Sequence, residues 1–435
     1  MIILDFIFSV PFIMRLVLTL LFMLVLNRLV KNLLISIGAG IIILALWSGR
    51  SFPEIVSISI NRLFSANLLF LIIILFGIIW LSTLMSKNGI INDLVTSVRG
   101  MSSNKAAMAL LPAFIGLLPM PGGAIFSAPL VDSIDEDKAL DPIHKVQINY
   151  WFRHIWEFWW PLYPAVLLAL DITGLPVTKF MLYQLPLWVL MIFTGYFFLL
   201  RKVDISEVLG NKSGYSRRKF ILSVIPVVII ICTYAVCRIF IPFLADFNKF
   251  VPMGIGIFLA IVFAQTYKPM GLRVWRKIVL NATTLNLVLI VILVMIYGSF
   301  IDSPLSDGSY IMSHMRTELD QWGIPLFIII MILPFISGMV TGIAVAFVGA
   351  SFPIIMSLLG PNPETWHIAT SMVLGYGFGY LGMILSPVHI CLIVTNDHFK
   401  TNVEKSIIKL AKPVSFMMGC VLLVYFLMRI LHSGV

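Results

Sequence analysis

The chain has 435 residues, 60% of them hydrophobic and only 11% charged, and it carries a formal net charge of +10. Apolar runs of about twenty residues, the length that crosses a bilayer core, recur from end to end; this excludes a soluble enzyme and predicts an all-α polytopic membrane protein. The excess Lys and Arg lie in short loops between the apolar spans, where they encode topology, so the predicted partner is the lipid bilayer and nucleic acid is not one.

In chain order, helices are predicted near 8–27, 33–48 and 67–86. The first carries Arg15, has no basic leader and lacks a small-residue cleavage site, so it is expected to remain as a helix. Between the second and third, residues 51–66 mix Glu54 and Arg62 with Ile55, Val56, Ile58, Ile60, Leu63 and Phe64, the pattern of a helix lying along the interface. Segment 104–134 consists of two apolar arms around Pro119-Met120-Pro121-Gly122-Gly123. Neither arm spans alone, which predicts a re-entrant hairpin. The span at 145–170 is interrupted by Trp160-Pro161-Leu162-Tyr163-Pro164, and proline removes a backbone donor, so a discontinuous helix is predicted there. Another span follows at 178–200 and a basic linker at 201–219. The order then repeats: spans near 220–241 and 251–267, a basic interfacial piece at 271–281 and a span near 284–301. A hairpin at 324–358, a broken helix at 365–395 and a last span near 412–431 complete it. Cys232, Cys237, Cys391 and Cys420 lack CxxC spacing and read as small core residues, with no disulfide or metal framework.

Leu111-Pro112-Ala113-Phe114-Ile115-Gly116 and Leu333-Pro334-Phe335-Ile336-Ser337-Gly338 share the pattern LPxxxG about half a chain length apart, and each is followed by Ser-x-Pro, at Ser127 and Ser351. The break at Ser386-Pro387-Val388-His389 overlays Trp160-Pro161-Leu162-Tyr163 in the right order. Residues 1–200 and 220–435 are therefore predicted to be two repeats, each with five crossings and one hairpin, giving about ten transmembrane helices. Five is odd, so the second repeat enters inverted. Charge agrees: 21 of the 30 Lys and Arg fall on one face, the predicted cytoplasmic side of a cell (inner) membrane, with both termini outside.

Arg153, His154 and Glu157 are the only charged cluster inside an apolar span, and an ionisable residue at that depth points to function. Arg153 and Glu157 are four apart, so a mutually neutralising structural pair is the other reading. The hairpin tips are candidate ligands: Gly122, Gly123 and Ser127 in the first, Ser337, Gly338, Thr341 and Gly342 in the second. Freed amides at helix N-termini suit a substrate anion, while carbonyls and the Ser337 and Thr341 hydroxyls suit a coupling cation. For Gly116 and Gly338, close helix packing is an equal reading. His389 is a candidate anion or proton ligand, with Ser386 beside it and Tyr376 and Tyr380 facing the same cavity.

LPxxxG with PMPGGA in one half, LPFISGMVTGIAVAFVGASFP in the other, and the SPVH break resemble a prokaryotic integral-membrane family, domain of unknown function 401, grouped with the ion transporter superfamily. The resemblance covers essentially the whole chain. It implies scaffold and transport domains in each half, elevator-like motion, homodimers, and organic anions or inorganic ions as cargo. The Ser-Asn-Thr tip of sodium-coupled dicarboxylate members is absent from both tips, so the resemblance leaves the coupling ion open between Na⁺ and H⁺. The expected function is ion-coupled secondary transport of a small anionic solute, with no cofactor and no enzymatic activity. The alternatives are a cation/proton antiporter on the same scaffold and an intramembrane metal-dependent enzyme.

Overall fold

A computed structural model describes residues 10–120, 123–205, 216–279, 281–305, 307–360 and 362–433. Gly122 and much of the 201–219 linker lie outside these residues. Among the described residues all regular structure is helical. Among these residues six helices are long and apolar enough to cross a membrane, or seven if a pair bent by 108° counts as one span, and four shorter apolar helices accompany them.

The first half opens with α1 (Phe12–Val30) and α2 (Leu33–Trp47), which pack on each other. The amphipathic α3 (Phe52–Leu63) buries none of its residues; Glu54 accepts from the Ser51 backbone at 2.7 Å and fixes its start. α4 (Ala66–Lys87) is a long span, and α5 (Ile90–Met101) a short amphipathic helix that the apolar pattern did not predict. α6 (Asn104–Gly116) and α7 (Ala124–Asp132) are the two arms around the proline-glycine segment, each too short to cross.

α8 (Pro142–His154) begins at Asp141, whose carboxylate accepts from Ile143 N at 3.1 Å. Lys409 donates to the same carboxylate at 2.7 Å and holds it below the usual Asp range. The helix tightens to a 3₁₀ turn at Ile155–Phe158, breaks, and resumes as α9 (Pro164–Thr173) with proline in its first turn. α10 (Val177–Gly195) closes the half.

α11 (Arg217–Phe240), the short α12 (Pro242–Phe247), α13 (Val251–Tyr267), the basic α14 (Leu272–Val279) and α15 (Ala282–Asp302) follow. α16 (Ile311–Trp322) is a second short helix that the sequence pattern missed. α17 (Leu326–Thr341) ends on Gly342, whose φ of 62° is the left-handed cap that favours glycine, and α18 (Ala344–Leu359) returns. α19 (Thr365–Ile384) and α20 (Ile390–Phe399) flank the Ser-Pro break, and α21 (Val403–Ser433) is last.

The packing brings the special segments together. α6 lies against α8, and α17 against α19. The return arm of each hairpin packs on the far piece of the other half's broken helix: α7 on α20, and α18 on α9.

Candidate functional site

Three aromatic donors hold the breaks open by satisfying carbonyls that the helix ends release. Where α8 gives way to the 3₁₀ turn, Tyr380 donates to the His154 carbonyl at 2.7 Å and Tyr376 to the Glu157 carbonyl at 2.9 Å. At the end of α19, Tyr150 donates to the Ile384 carbonyl at 3.2 Å. The C-terminal carbonyls of α6 are met in the same way, Ala113 by Trp156 at 2.8 Å and Gly116 by the Tyr163 hydroxyl. Tyr376 and Tyr380 are thus buried structural donors. They do not line the cavity predicted for them.

The breaks and tips line an open cavity of about 200 Å³. Its polar wall is Arg153, Glu157, Tyr163 and His389; its apolar wall includes Met120 and Ile343 from the two tips, Met383 from α19, and Ile79 and Leu287 from α4 and α15. The tip at 119–120 and the tip at 342–345 face the same space.

Arg153 is the centre of this wall. It is 3% exposed, and its Nη2 donates to the Met120 carbonyl at 3.0 Å, tying α8 to the first tip. Its Nη1 lies 3.2 Å from His154 Nε2 and 3.4 Å from Cys391 Sγ, while its Nε has no hydrogen-bond partner among the described residues. Gly123 makes room for the guanidinium: a Cβ there would overlap Nη2 and come within 3.0 Å of Nε. The predicted pairing of Arg153 with Glu157 is not formed. An i, i+4 pair needs a continuous α-turn, and the helix turns 3₁₀ after His154, so the nearest ion-pair partner of Glu157 is His154 Nε2 at 3.9 Å.

His154 and His389 meet across the halves with 3.1 Å between their Nε2 atoms. His154 Nδ1 is 2.6 Å from the Tyr150 carbonyl, and His389 Nδ1 is 2.7 Å from the Gly342 carbonyl at the second tip. With Cys391 they form a compact set of donor atoms of the type that binds a soft metal ion. The Arg153 cation already fills the approach to that set, and two like charges at this distance repel strongly in a low-dielectric interior.

The remaining predicted ligands sit behind this wall. Ser127 and Ser337 are buried with hydroxyls that have no partner among the described residues. Thr341 donates to the Ser337 carbonyl of its own helix at 2.7 Å. Gly338 is packed against the Gly379 carbonyl, and Ser386 accepts from Val388 N at 3.3 Å inside the break. Gly123, Arg153, His154, Glu157 and His389 are brought together; Ser127, Ser337, Gly338, Thr341 and Ser386 stand outside the cavity lining. Cys391, which spacing placed among core residues, lines the cavity because it follows His389 into the first turn of α20.

A family model described as Protein of unknown function (DUF401) matches residues 14–428. No curated protein matches the chain.

Proposed function

The chain belongs to the DUF401 family, and we propose that it is an ion-coupled secondary transporter of a small anionic solute in the cell (inner) membrane. One observation carries the reading: a single cavity is walled by both hairpin tips and both helix breaks, with Arg153 in its wall and the buried Arg153 Nε without a hydrogen-bond partner among the described residues. Irregular backbone at membrane depth survives only where protein or a water-filled site shields it, and broken helices at such a site are how secondary transporters hold their cargo.

The inverted repeat is part of the proposal. It is supported by the order of long, short and broken helices, which runs the same way in both halves, and by the exchanged packing of α7 on α20 and α18 on α9. Tyr150 and Tyr376, at equivalent positions before the two breaks, each cap the carbonyls at the end of the other's helix. Elevator-like alternating access is supported by the division of the cavity wall. Every polar lining group comes from tips and broken helices, whereas α4 and α15 contribute only Ile79 and Leu287, a smooth apolar face for sliding.

The test is solute counterflow in proteoliposomes, preceded by a thermal-shift screen of carboxylates, sugar acids and oxyanions on the purified protein. A stabilising anion is expected, since a ligand that binds only the folded state raises its stability. Arg153→Ala and Arg153→Lys are expected to weaken its binding by roughly 30-fold or more, the equivalent of about 2 kcal/mol for a desolvated charge pair. If no anion stabilises the wild type and neither variant alters its behaviour, the anion reading is wrong.

A further inference from the structure

A second cavity, open and of about 280 Å³, lies away from the helix breaks, where α8 begins, the α10 span ends and α21 runs past both. Its wall is held by a specific contact. After Gly195 the α10 span widens into a π turn at Tyr196–Leu200, closed by Arg201 N on the Tyr196 carbonyl at 2.7 Å. Such turns are rare and recur at functional sites. Leu199 has one of the last carbonyls of the span and accepts from His144 Nε2 at 2.8 Å, which ties this end to the first turn of α8. Three residues on, Gln147 lines the cavity and is 6% exposed, yet its amide has no hydrogen-bond partner among the described residues. Buried polar groups are ordinarily paired, so an amide turned into a cavity marks a place for a polar ligand.

The charges around that amide give the sign of the ligand. Lys202, just past the π turn, and Lys409 and Lys412 on α21 all line the cavity. Lys409 is taken up by Asp141 at 2.7 Å. Lys202 and Lys412 have no ion-pair partner among the described residues. The lining thus offers two uncompensated ammonium groups and an amide donor, which together suit a phosphate oxygen.

The apolar neighbours give its source. Lys409, Lys412, Pro413 and Phe416 follow at intervals of three and four on the continuous α21 and share one face. Phe416 is 41% exposed and lies about 6 Å along the helix from Lys412, away from the basic end. Its ring meets that of Phe198 in the cavity wall at 5.5 Å between centroids, and the exposed Phe197 ring lies 5.2 Å beyond. A free phosphate would use the lysines alone. A phospholipid would use both parts, its headgroup on the lysines and its chains on the aromatic face, as basic pockets between transmembrane helices do.

We propose that this pocket binds the phosphate of an anionic phospholipid whose headgroup has no amine, with Lys202, Lys412 and Gln147 as donors and the acyl chains along Phe198 and Phe416. A zwitterionic headgroup brings its own cation, which the two lysines repel. The bound lipid clasps the start of α8 to the α10 span and α21. The proposal stands apart from the transporter reading, and its test involves no transport.

The test is native mass spectrometry and thermal unfolding of the full-length protein in detergent, with dioleoyl phosphatidylglycerol, dioleoyl phosphatidylcholine or inorganic phosphate added. Phosphatidylglycerol is expected to be retained roughly tenfold more tightly than phosphatidylcholine and to raise the unfolding midpoint. Equal retention of the two lipids overturns the proposal. Inorganic phosphate is expected to leave the midpoint unchanged; stabilisation by it equal to that of phosphatidylglycerol overturns the lipid as the source. Lys202→Gln and Lys412→Gln alter exposed side chains and are expected to unfold like wild type without lipid. Each is expected to weaken phosphatidylglycerol roughly fivefold and leave phosphatidylcholine unaffected. Gln147→Met, which keeps the volume and removes the amide, is expected to weaken it too. Lys405→Gln removes an equal charge from the exposed start of α21, outside the lining, and is expected to change nothing. If Lys405→Gln weakens retention as much as Lys202→Gln does, the lipid is held by the basic surface as a whole and the pocket is not a site.

Discussion

A methyl group added at Gly116 would overlap the Arg153 carbonyl oxygen, and one at Gly338 the Gly379 carbonyl oxygen. Both glycines let two backbones meet at the point where the site is built, and backbone, unlike a flexible side chain, cannot step aside. Gly116→Ala and Gly338→Ala are each expected to lower stability by roughly 1–3 kcal/mol, the usual cost of overpacking. Gly38, inside α2, has open space where its Cβ would be. Gly38→Ala is therefore expected to be neutral or to stabilise by up to about 1 kcal/mol, because alanine is the better helix former. Thermal unfolding of the three variants in one detergent separates the cases; equal losses at all three positions would show that the close approaches do not matter. The LPxxxG repeat thus has a physical meaning at residue scale, in which proline removes one hydrogen bond within each of α6 and α17 and the glycine admits the backbone of another helix.

The helix breaks are stable because each half supplies donors for the carbonyls that the other half exposes. Replacing Tyr376 or Tyr380 by Phe keeps the ring and removes only the hydroxyl that donates to a backbone carbonyl at the break. Each change is expected to cost about 1–3 kcal/mol. The double variant should fall short of the sum of the singles, since the two carbonyls lie on one turn and relax together. Strict additivity in thermal unfolding would argue that the hydroxyls act independently. These partners were not legible in the sequence, which showed two tyrosines four apart but not the register of α19 against α8. What was legible is what proline and glycine dictate locally: the helix end at Gly342, the breaks near Pro161 and Pro387, and the amphipathic α3 with its charge-flecked pattern. The amphipathic α5 and α16, twelve residues each, fell below the length at which apolar runs announce themselves. Arg153 and Glu157 were recognised as a cluster, but their spacing misled because it assumes an α-turn that the chain abandons after His154. The His154 and His389 pairing joins residues from opposite halves and has no local signal beyond the two residue types.

At the scale of the whole molecule, the described ion pairs outside the cavity wall sort into two groups that follow the charge asymmetry of the loops. In one group Lys145 meets Asp132 at 2.7 Å and Asp135 at 3.1 Å, Lys409 meets Asp141 at 2.7 Å, and Lys219 and Lys268 meet Asp93 at 3.7 and 2.6 Å. These four lysines are among the 21 basic residues that the sequence puts on the predicted cytoplasmic face. In the other, Arg62 and Lys249 meet Asp171 at 3.0 and 3.8 Å. There Arg50 also donates to the Phe300, Ser303 and Pro304 carbonyls at the end of α15, and Glu318 accepts from Phe12 N and Ile13 N at the start of α1. No pair links the two groups, as expected if a bilayer separates them. The inverted repeat makes a sharper demand, because α3 and α14 hold equivalent places in the two halves and must then lie on opposite surfaces. Ser57 on α3 and Arg273 on α14 are both exposed and suit a labelling test. Of the native cysteines only Cys232 is exposed, so a Cys232→Ser background suffices. In intact cells a membrane-impermeant maleimide is expected to label Ser57→Cys directly and Arg273→Cys only after the membrane is opened. Labelling of both from the same side would remove the odd number of crossings per half. A parallel repeat could not bring the two tips into one cavity from opposite faces, and the alternating-access reading would fall with it.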